Sequence, residues 1–227
     1  MVHVIIHNSV SADGGIDGFN VDLGLHYQLA SRFGADVHLV GSDTILAAEM
    51  DTQNGVDDSV KPVRDDPHDR RPLLAVVDSR GSVRSWALLR QAPHWRDRMV
   101  ALCSRRTPAD YLDRLAARHV DCIIVGEEHV DLGAALQEMA RRYDVKRVLV
   151  DSGGTLNGVL LRSGLVDEVS LLVHPCLVDG SQHRSMFRPP ELGDAVGLRL
   201  AAVEQCPGDA VWLRYSVVTP AHPKEAA

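Results

Sequence analysis

The sequence predicts an α/β fold with a mixed, mostly parallel central sheet and a C-terminal antiparallel hairpin. Short runs rich in Val, Ile and Leu alternate with segments of helical periodicity over most of the chain, which is typical of parallel strands joined by helices. Two later β-rich runs flank Cys206-Pro207-Gly208-Asp209, and Pro-Gly-Asp favours a tight turn between antiparallel strands. At 227 residues, the chain is long enough to bury a full core within one domain.

The individual elements follow from these patterns in chain order. Apolar runs predict strands at Val2–His7, Val37–Val40, Leu73–Val77, Met99–Cys103, Cys122–Val125, Arg147–Val150, Glu168–Val173, Leu198–Gln205 and Ala210–Val218. Helical periodicity predicts helices at Leu23–Phe33, Thr44–Met50, Pro108–Arg118, Leu132–Tyr143 and Thr155–Ser163. In the last helix, Leu156, Val159 and Leu160 share one face, and Gly164 follows as a C-terminal cap.

Residues 51–72 show neither periodicity. This segment is acidic, contains prolines and has few large apolar side chains, so we predict a loop or lid excursion within a single domain over residues 1–218. Its Asp65, Asp66, His68 and Asp69 allow two interpretations, a solvated run of charges or metal ligation. Residues 219–227 are predicted to form a disordered tail.

Composition argues against several classes of function. The net charge is −7 and no cluster of Lys and Arg is interleaved with aromatic residues, so we expect no nucleic-acid partner. No apolar run approaches the roughly 18 to 20 residues that span a bilayer, and the N-terminus lacks the basic flank of a signal peptide. We therefore expect a cytoplasmic protein without a membrane partner. The four cysteines show no CxxC spacing, which favours free thiols and no metal site: Cys103, Cys122, Cys176 and Cys206.

Two adjacent glycines lie where an apolar strand meets a helix, in the run Ser152-Gly153-Gly154-Thr155. Thr155 can cap this helix, whose first N–H groups carry a partial positive charge and lack partners within the helix. Because glycine has no Cβ, a pyrophosphate can approach the backbone and accept hydrogen bonds from these groups. A tight turn with no ligand is the alternative explanation of the glycines.

Two further strand ends carry similar residues. Gly41 is followed by Ser42, Asp43 and Thr44 at the start of a helix, and Val77 is followed by Asp78, Ser79 and Arg80. A hydroxyl beside a planar guanidinium suits the 2′-phosphate of an adenosine. Solvated turns are the alternative, although three polar strand ends fit one extended ligand at the edge of a sheet.

The first strand leads into a polar cluster that suits a substrate and nicotinamide pocket. Asn8, Ser9, Ser11 and Asp13 follow the apolar residues, and Gly14, Gly15 and Gly18 allow a loop. The alternative is a polar turn that Asp13 caps. His7 beside Asn8 is either a proton donor or a histidine satisfied in the core.

Four motifs, taken together, resemble the reductase family of riboflavin biosynthesis, which has the dihydrofolate-reductase-like three-layer fold. They are "NSVSADG", "ADVHLVGSDT", "AVVDSRG" and "VDSGGTLNGVLLRSGLVDEVSLLVHP", and they extend the resemblance over roughly residues 2–180. The resemblance implies an NADPH-dependent reductase that opens the ribose of a ribosylaminopyrimidine 5′-phosphate and reduces it to ribityl. It also implies a homodimer that pairs through its sheet.

The resemblance further implies roles for individual residues. Asn8 and Asp13 would be catalytic, Ser11 and Asp151 would bind substrate, and the backbone around Val10 would meet the nicotinamide amide. Gly41 and Thr44 would flank the cofactor, with Ser79 and Arg80 near its 2′-phosphate. The pyrophosphate would lie on Ser152, Gly153, Gly154, Thr155 and Leu156.

The sequence departs from the family pattern on the substrate side and beside the phosphate. Asp43 adds a negative charge near the proposed phosphate site, and His174 stands before Pro175 where a small residue is usual. Two alternatives therefore stay open. One is a pterin or dihydrofolate reductase on the same fold, in which Asp22 would be a buried carboxylate rather than a helix cap. The other is a non-catalytic protein that binds NADPH.

Overall fold

The computed structural model of the chain describes residues 2–51, 66, 68–178, 184–187 and 195–218. The predicted tail at 219–227 and most of the predicted excursion at 51–72 lie outside the described residues. Contacts divide the chain into two compact units. The first unit is Phe33–Ser152, and the second combines His3–Arg32 with the described residues after Ser152. The single domain over residues 1–218 stays a prediction.

Strands and helices alternate along the described residues until two final strands. The strands are β1 His3–Ser11, β2 Val37–Gly41, β3 Leu73–Val77, β4 Met99–Cys103, β5 Asp121–Ile124, β6 Arg147–Val150, β7 Glu168–His174, β8 Gly197–Gln205 and β9 Val211–Val218. The helices are α1 Leu23–Ser31, α2 Ser42–Asp51, α3 Trp86–Leu89, α4 Ala109–Ala117, α5 Leu132–Tyr143 and α6 Gly154–Arg162. None of the described helices is long and apolar enough to cross a membrane.

The first unit is a parallel sheet in the order β5-β4-β3-β2-β6 with helices between its strands. Its central strands are buried at nearly every position, which is why their sequences are continuous apolar runs rather than alternating ones. Trp86 and Tyr111 fill one face of the core, and the Trp86 indole donates a 3.2 Å hydrogen bond to the Tyr111 hydroxyl. All strands of this sheet end at the same edge, which therefore collects the turns that follow them.

The second unit has the strand order β1-β7-β9-β8, in which β1 and β7 are parallel and the last two strands are antiparallel. A 3-10 turn at Pro207–Asp209 joins β8 to β9, and Gly208 takes φ 71° there. The predicted fold class, α/β with mostly parallel strand pairs and a C-terminal antiparallel hairpin, is confirmed.

Three differences from the predicted elements have identifiable reasons. β1 continues to Ser11 instead of ending at His7, because its polar residues are buried on the strand and paired in register with β7. Thr155 does not cap α6; Gly153 is the N-cap, and the helix already begins at Gly154. The one-turn helix α3 was missed because four residues are too few to show helical periodicity.

Candidate functional site

The ends of β2 and β6 in the first unit are joined through the hydroxyl of Ser152. This oxygen accepts a 3.1 Å hydrogen bond from the Gly41 N–H and lies 3.3 Å from the Thr44 hydroxyl. Asp151 donates its N–H to the carbonyl of Leu39 at 3.1 Å. Three predicted cofactor residues therefore lie together, although Ser152 is buried and its hydroxyl already has partners in the protein.

The turn after β3 is built around a buried carboxylate. Asp78 is 0% exposed, and its oxygens accept hydrogen bonds from the Ser82 N–H, the Ser82 hydroxyl and the Val83 N–H at 2.7, 2.9 and 2.9 Å. The Ser79 hydroxyl accepts a 3.1 Å hydrogen bond from the Val130 N–H. Asp78 and Ser79 thus hold the turn in place, and the predicted phosphate contact of Ser79 would add to a structural role.

Arg80 differs from its neighbours because its charged group reaches solvent. Its side chain is 67% exposed and forms an ion pair with Asp43, whose side chain is 70% exposed. Asp43 lies in the first turn of α2, directly after β2, so the pair links the carboxyl ends of two neighbouring parallel strands. The sequence motifs did not link Arg80 to Asp43, and the structure pairs the two side chains.

In the second unit, β1 carries buried polar side chains that have partners. The side-chain Oδ1 of Asn8 accepts a 2.8 Å hydrogen bond from the side-chain Nδ2 of Asn157, which also donates to the Met186 backbone carbonyl at 3.0 Å. The Ser9 hydroxyl lies 3.0 Å from the His26 ring. Val10 is 3% exposed. Asn8 is therefore held by α6, and its predicted catalytic role stays a prediction.

The loop after β1 is anchored to the segment that follows β7. Ala12 donates its N–H to the Cys176 carbonyl at 2.8 Å, and the Asp13 carboxylate accepts the Val178 N–H at 3.2 Å. Gly14 takes φ 87°, so the predicted need for glycine in this loop holds at that position. Asp13 is exposed on this loop.

Ser11 closes the start of this loop. Its hydroxyl accepts a 2.9 Å hydrogen bond from the Gly15 N–H, and its own N–H donates to the Gly15 carbonyl at 2.9 Å. Ser11 is buried at the last position of β1, paired in register with His174 of β7. The predicted substrate contact of Ser11 therefore competes with a turn that already uses its hydroxyl.

The start of α6 has features that suit a phosphate. Gly153 is the N-cap at φ −77° and ψ 174°, and no side chain caps the helix there. A Cβ built on Gly153 would have only the Ile16 Cδ1 atom within 4 Å, at 3.9 Å. Thr155 is exposed and Leu156 is buried. Since the first N–H groups of a helix attract anions, the residues present fit the pyrophosphate of a dinucleotide.

His7 lies in a chain of hydrogen bonds within the second unit. The His7 Nδ1 lies 2.9 Å from the Ser170 hydroxyl, which accepts the Trp212 indole N–H at 2.7 Å, and the His7 Nε2 lies 3.3 Å from the His26 carbonyl. One neutral tautomer satisfies this chain: Ser170 donates to Nδ1, and Nε2–H donates to the carbonyl. His7 therefore fits the interpretation as a core histidine rather than as a proton donor.

His174 has a different environment at the end of β7. It is 7% exposed, its Nε2 is buried with no hydrogen-bond partner among the described residues, and its ring lies 5.3 Å from that of Phe19. Burial lowers the pKa of His174; the nearby Asp22 opposes this shift and His26 adds to it. The neutral imidazole is therefore favoured.

Sequence analysis missed Asn157, which positions Asn8. Asn157 is 0% exposed between the apolar residues Leu156 and Leu160 of α6. An amide within a predicted apolar helix face is a signal, because such a group is buried only when it has hydrogen-bond partners. The pairing of Asp43 with Arg80 was also missed, because sequence alone does not give the distance between two strand ends.

The acidic residues before β3 form an ion pair and hydrogen bonds with neighbouring residues of the chain. Asp69 pairs with Arg71 at 2.7 Å, and the Asp66 carboxylate accepts the His68 N–H at 2.8 Å. No group of three His, Cys, Asp or Glu side chains within the described ranges is placed to hold a metal ion. Asp65 lies outside the described residues. All four cysteines are free thiols, with Cys103 and Cys206 buried and the other two partly buried.

These features define an α/β protein whose polar residues lie at the carboxyl ends of parallel strands and at a glycine-capped helix start, as in proteins that bind nucleotides. The family model described as the RibD C-terminal domain matches residues 2–212, and the chain belongs to this family.

Curated relatives carry one name. The chain is 30% identical over 149 residues to an Archaeoglobus fulgidus protein named 2,5-diamino-6-ribosylamino-4(3H)-pyrimidinone 5′-phosphate reductase. It is 29% identical over 173 residues to the Methanothermobacter thermautotrophicus protein of the same name. The first match covers 66% of each chain, and the second covers 73% of this chain and 72% of the relative. The chain thus spans about two thirds of the length of these relatives.

Solved structures share the fold. A pyrimidine reductase-like protein from Corynebacterium diphtheriae has a TM-score of 0.72 at 17% identity, over 96% of this chain and 92% of that one. Acinetobacter baumannii RibD has a TM-score of 0.69 at 20% identity, over 96% of this chain and 58% of that one. The relatives named above are reductases, and a reductase of this fold implies a nicotinamide cofactor.

Proposed function

We propose that the protein is an NADPH-dependent reductase that converts the ribosyl group of a ribosylaminopyrimidine 5′-phosphate to ribityl in riboflavin biosynthesis. The family match over residues 2–212 supports this reaction, together with the name that the relatives carry. The single structural observation that carries the proposal is the start of α6, where a glycine N-cap leaves the helix without a side-chain cap. A dinucleotide needs such a place for its pyrophosphate.

Strand ends and the start of α6 are proposed to hold the cofactor, which supplies a hydride when bound. Gly153, Gly154, Thr155 and Leu156 are proposed for the pyrophosphate, with Ser152 fixing the ends of β2 and β6. Gly41 and Thr44 are proposed to flank the cofactor, and Ser79 with Arg80 to bind its 2′-phosphate. The exposed guanidinium of Arg80 supports the last assignment, because a planar cation binds phosphate through two hydrogen bonds. The backbone of Val10 is proposed for the nicotinamide amide.

Asp13 is proposed to position the substrate. Opening the ribosylamine gives a carbon–nitrogen double bond, and reduction adds a hydride to the carbon and a proton to the nitrogen. Asp13 is exposed, and its carboxylate can accept hydrogen bonds from the hydroxyls of the opened ribose and stabilise positive charge on the nitrogen. Asn8, Ser11 and Asp151 are proposed to support it, with Asn8 oriented by Asn157.

Turnover tests this function directly. The full chain is incubated with NADPH deuterated on C4 and with 2,5-diamino-6-ribosylamino-4(3H)-pyrimidinone 5′-phosphate. We expect oxidation of NADPH and a product that carries one deuterium on the former C1 carbon. Dihydrofolate in place of the pyrimidine tests the pterin alternative, against which the structure offers one observation. Asp22 is exposed and caps α1 by accepting the Leu25 N–H at 2.9 Å, so it is not a buried carboxylate.

The outcomes separate the three functions. Oxidation with the pyrimidine alone supports the proposal, and oxidation with dihydrofolate alone replaces it with the pterin reaction. Binding of NADPH without turnover of either compound indicates the non-catalytic alternative.

We also propose that the protein is a homodimer and that β8 contributes to its interface. This strand is exposed along its whole length, and its Leu198, Leu200 and Val203 are 43%, 56% and 62% exposed. A long apolar edge strand favours pairing with another chain. Light scattering should give about twice the chain mass, and Leu200→Lys should shift the protein toward the monomer. A monomeric parent protein would contradict this proposal.

A further inference from the structure

The turn after β3 presents the Arg80 guanidinium to solvent. Asp78 is buried within the turn and the Ser79 hydroxyl accepts the Val130 N–H, so both have structural partners. Arg80 lies between Ser79 and Gly81, and its side chain is 67% exposed. The Arg80 guanidinium is therefore exposed to solvent just after the carboxyl end of β3.

The partner of this guanidinium is an acid from the neighbouring strand end. Asp43 follows β2 by two residues and is 70% exposed, and its carboxylate accepts a hydrogen bond from the Arg80 guanidinium. β2 and β3 are paired in parallel up to Gly41 and Val77. The two charges therefore meet at the same edge of the sheet, where the proposed function places the adenosine end of the cofactor.

A 2′-phosphate and Asp43 compete for the same cation. A phosphate monoester carries about −1.5 to −2 charges at neutral pH, so it is attracted by Arg80 and repelled by the carboxylate beside it. An adenosine that lacks the phosphate presents a 2′-hydroxyl instead, which can donate a hydrogen bond to a carboxylate. Asp43 therefore lowers the affinity for the 2′-phosphorylated ligand, relative to a site that has Arg80 but lacks the aspartate.

We infer that Asp43 is a specificity-determining residue that lowers the preference of this protein for a 2′-phosphorylated dinucleotide. The inference rests on the proposed function, because it assigns the Arg80 turn to the adenosine end of the cofactor. It concerns the ratio of two affinities, and it does not depend on which compound is reduced.

Binding of cofactor fragments tests the inference without any reaction. The affinities of the full chain for 2′,5′-ADP and for 5′-AMP are measured by calorimetry at low salt, because exposed charges are screened by salt. Asp43→Asn, which keeps the shape and removes the charge, should raise the affinity ratio in favour of 2′,5′-ADP by about tenfold. Arg80→Gln should lower that ratio. The same direction is expected for the kcat/KM ratio of NADPH to NADH.

Asp110→Asn is the matched control. Asp110 is also an aspartate in the first turn of a helix, 68% exposed and paired with an arginine, Arg114, at 2.8 Å. Its replacement should leave both affinities unchanged, which separates an effect at the nucleotide from the loss of any exposed ion pair.

The outcomes distinguish this inference from the proposed function. An unchanged affinity ratio in Asp43→Asn, or a change as large in Asp110→Asn, overturns the inference while turnover of the pyrimidine still supports the reductase. A raised ratio in Asp43→Asn without turnover of any pyrimidine supports the inference and contradicts the reductase. If 2′,5′-ADP binds neither the parent protein nor Asp43→Asn, the inference is wrong.

Discussion

Gly81 in the turn after β3 and Gly153 at the start of α6 differ in whether packing requires a glycine. Gly81 takes φ 65°, and a Cβ there would lie 2.7 Å from the Cγ atom of the buried Tyr111. Gly153 has φ −77°, which any residue can adopt, and a Cβ there would be 3.9 Å from its nearest neighbour. The first glycine is explained by packing within the protein. Packing does not explain Gly153, which is consistent with a ligand-binding position at the start of α6.

Asp78 in the turn after β3 and Asp13 in the loop after β1 also differ in how far partners within the protein explain them. Asp78 is fully buried and accepts three hydrogen bonds from its own turn. Asp13 is exposed on the loop after β1, and its carboxylate accepts the N–H of Val178. A polar residue at a strand end is therefore a functional candidate only after its internal partners have been assigned. Sequence motifs treat the two aspartates alike.

The largest expected effect is on stability, from Gly81→Ala. The added Cβ meets the Tyr111 ring and the backbone must keep a positive φ, so the free energy of unfolding should fall by about 3 kcal/mol or more. Urea denaturation measures this change. Gly164→Ala is the control, because Gly164 has φ 63° and a Cβ there would meet nothing within 4 Å; this variant should lose only about 1 kcal/mol. Equal losses would show that contact with Tyr111 is not the reason for the glycine.

Asp13→Asn should cause the next largest effect, on turnover. The amide keeps an oxygen for the Val178 N–H but loses the negative charge, so kcat on the pyrimidine phosphate should fall about 10²-fold while cofactor affinity is retained. Asp78→Asn is the contrasting variant, and it should lower the free energy of unfolding rather than kcat. Unchanged turnover in folded Asp13→Asn would remove Asp13 from the mechanism and direct attention to Asp151.

Gly153→Ser tests the open position at α6. Serine is a good N-cap residue, so the melting temperature should stay the same or rise slightly. Its hydroxyl would accept an N–H of the first turn and occupy the space beside it, so affinity for NADPH should fall about tenfold, or 1.4 kcal/mol. Fluorescence titration and thermal unfolding measure the two quantities. A fall in stability with unchanged affinity would make Gly153 a structural glycine, like Gly81.

Much of the fold was predictable because buried parallel strands have a distinctive composition. The bounds of β3, β4, β6 and α5 agree with the structure, and each is an uninterrupted apolar run or a strongly periodic helix. β1 was cut short because Asn8, Ser9 and Ser11 are polar, and their burial depends on partners far away in the sequence, such as Asn157 and His26. Local pattern cannot anticipate such tertiary hydrogen bonds.

The candidate site was predictable as a set of strand ends but not as a set of contacts. Gly41, Thr44 and Ser152 lie together as the parallel topology requires. Sequence alone did not separate Ser79, whose hydroxyl binds Val130, from Arg80, whose guanidinium binds Asp43. That distinction depends on loop geometry, which varies between turns of the same composition.

The smallest expected effect concerns His174 at the end of β7, whose hydrogen bonding can be compared with that of His7. His7 has partners on both ring nitrogens, whereas the Nε2 of His174 is buried and finds none in the part of the chain that the structure describes. Burial holds the pKa of His174 below its value of about 6.5 in an unfolded chain, although Asp22 opposes this shift and His26 adds to it. The unfolded state therefore binds more protons, so His174 contributes stability at neutral pH that is lost as the pH falls from about 6.5 through the lowered pKa.

Urea denaturation at pH 7.5 and pH 5.5 measures this contribution. The free energy of unfolding should fall with pH less steeply in His174→Gln than in the parent protein, because glutamine does not titrate. His129→Gln, at an exposed histidine, should keep the steepness of the parent protein. If the two variants show the same pH dependence, protonation of His174 does not oppose folding, and its ring is solvated like that of a surface histidine.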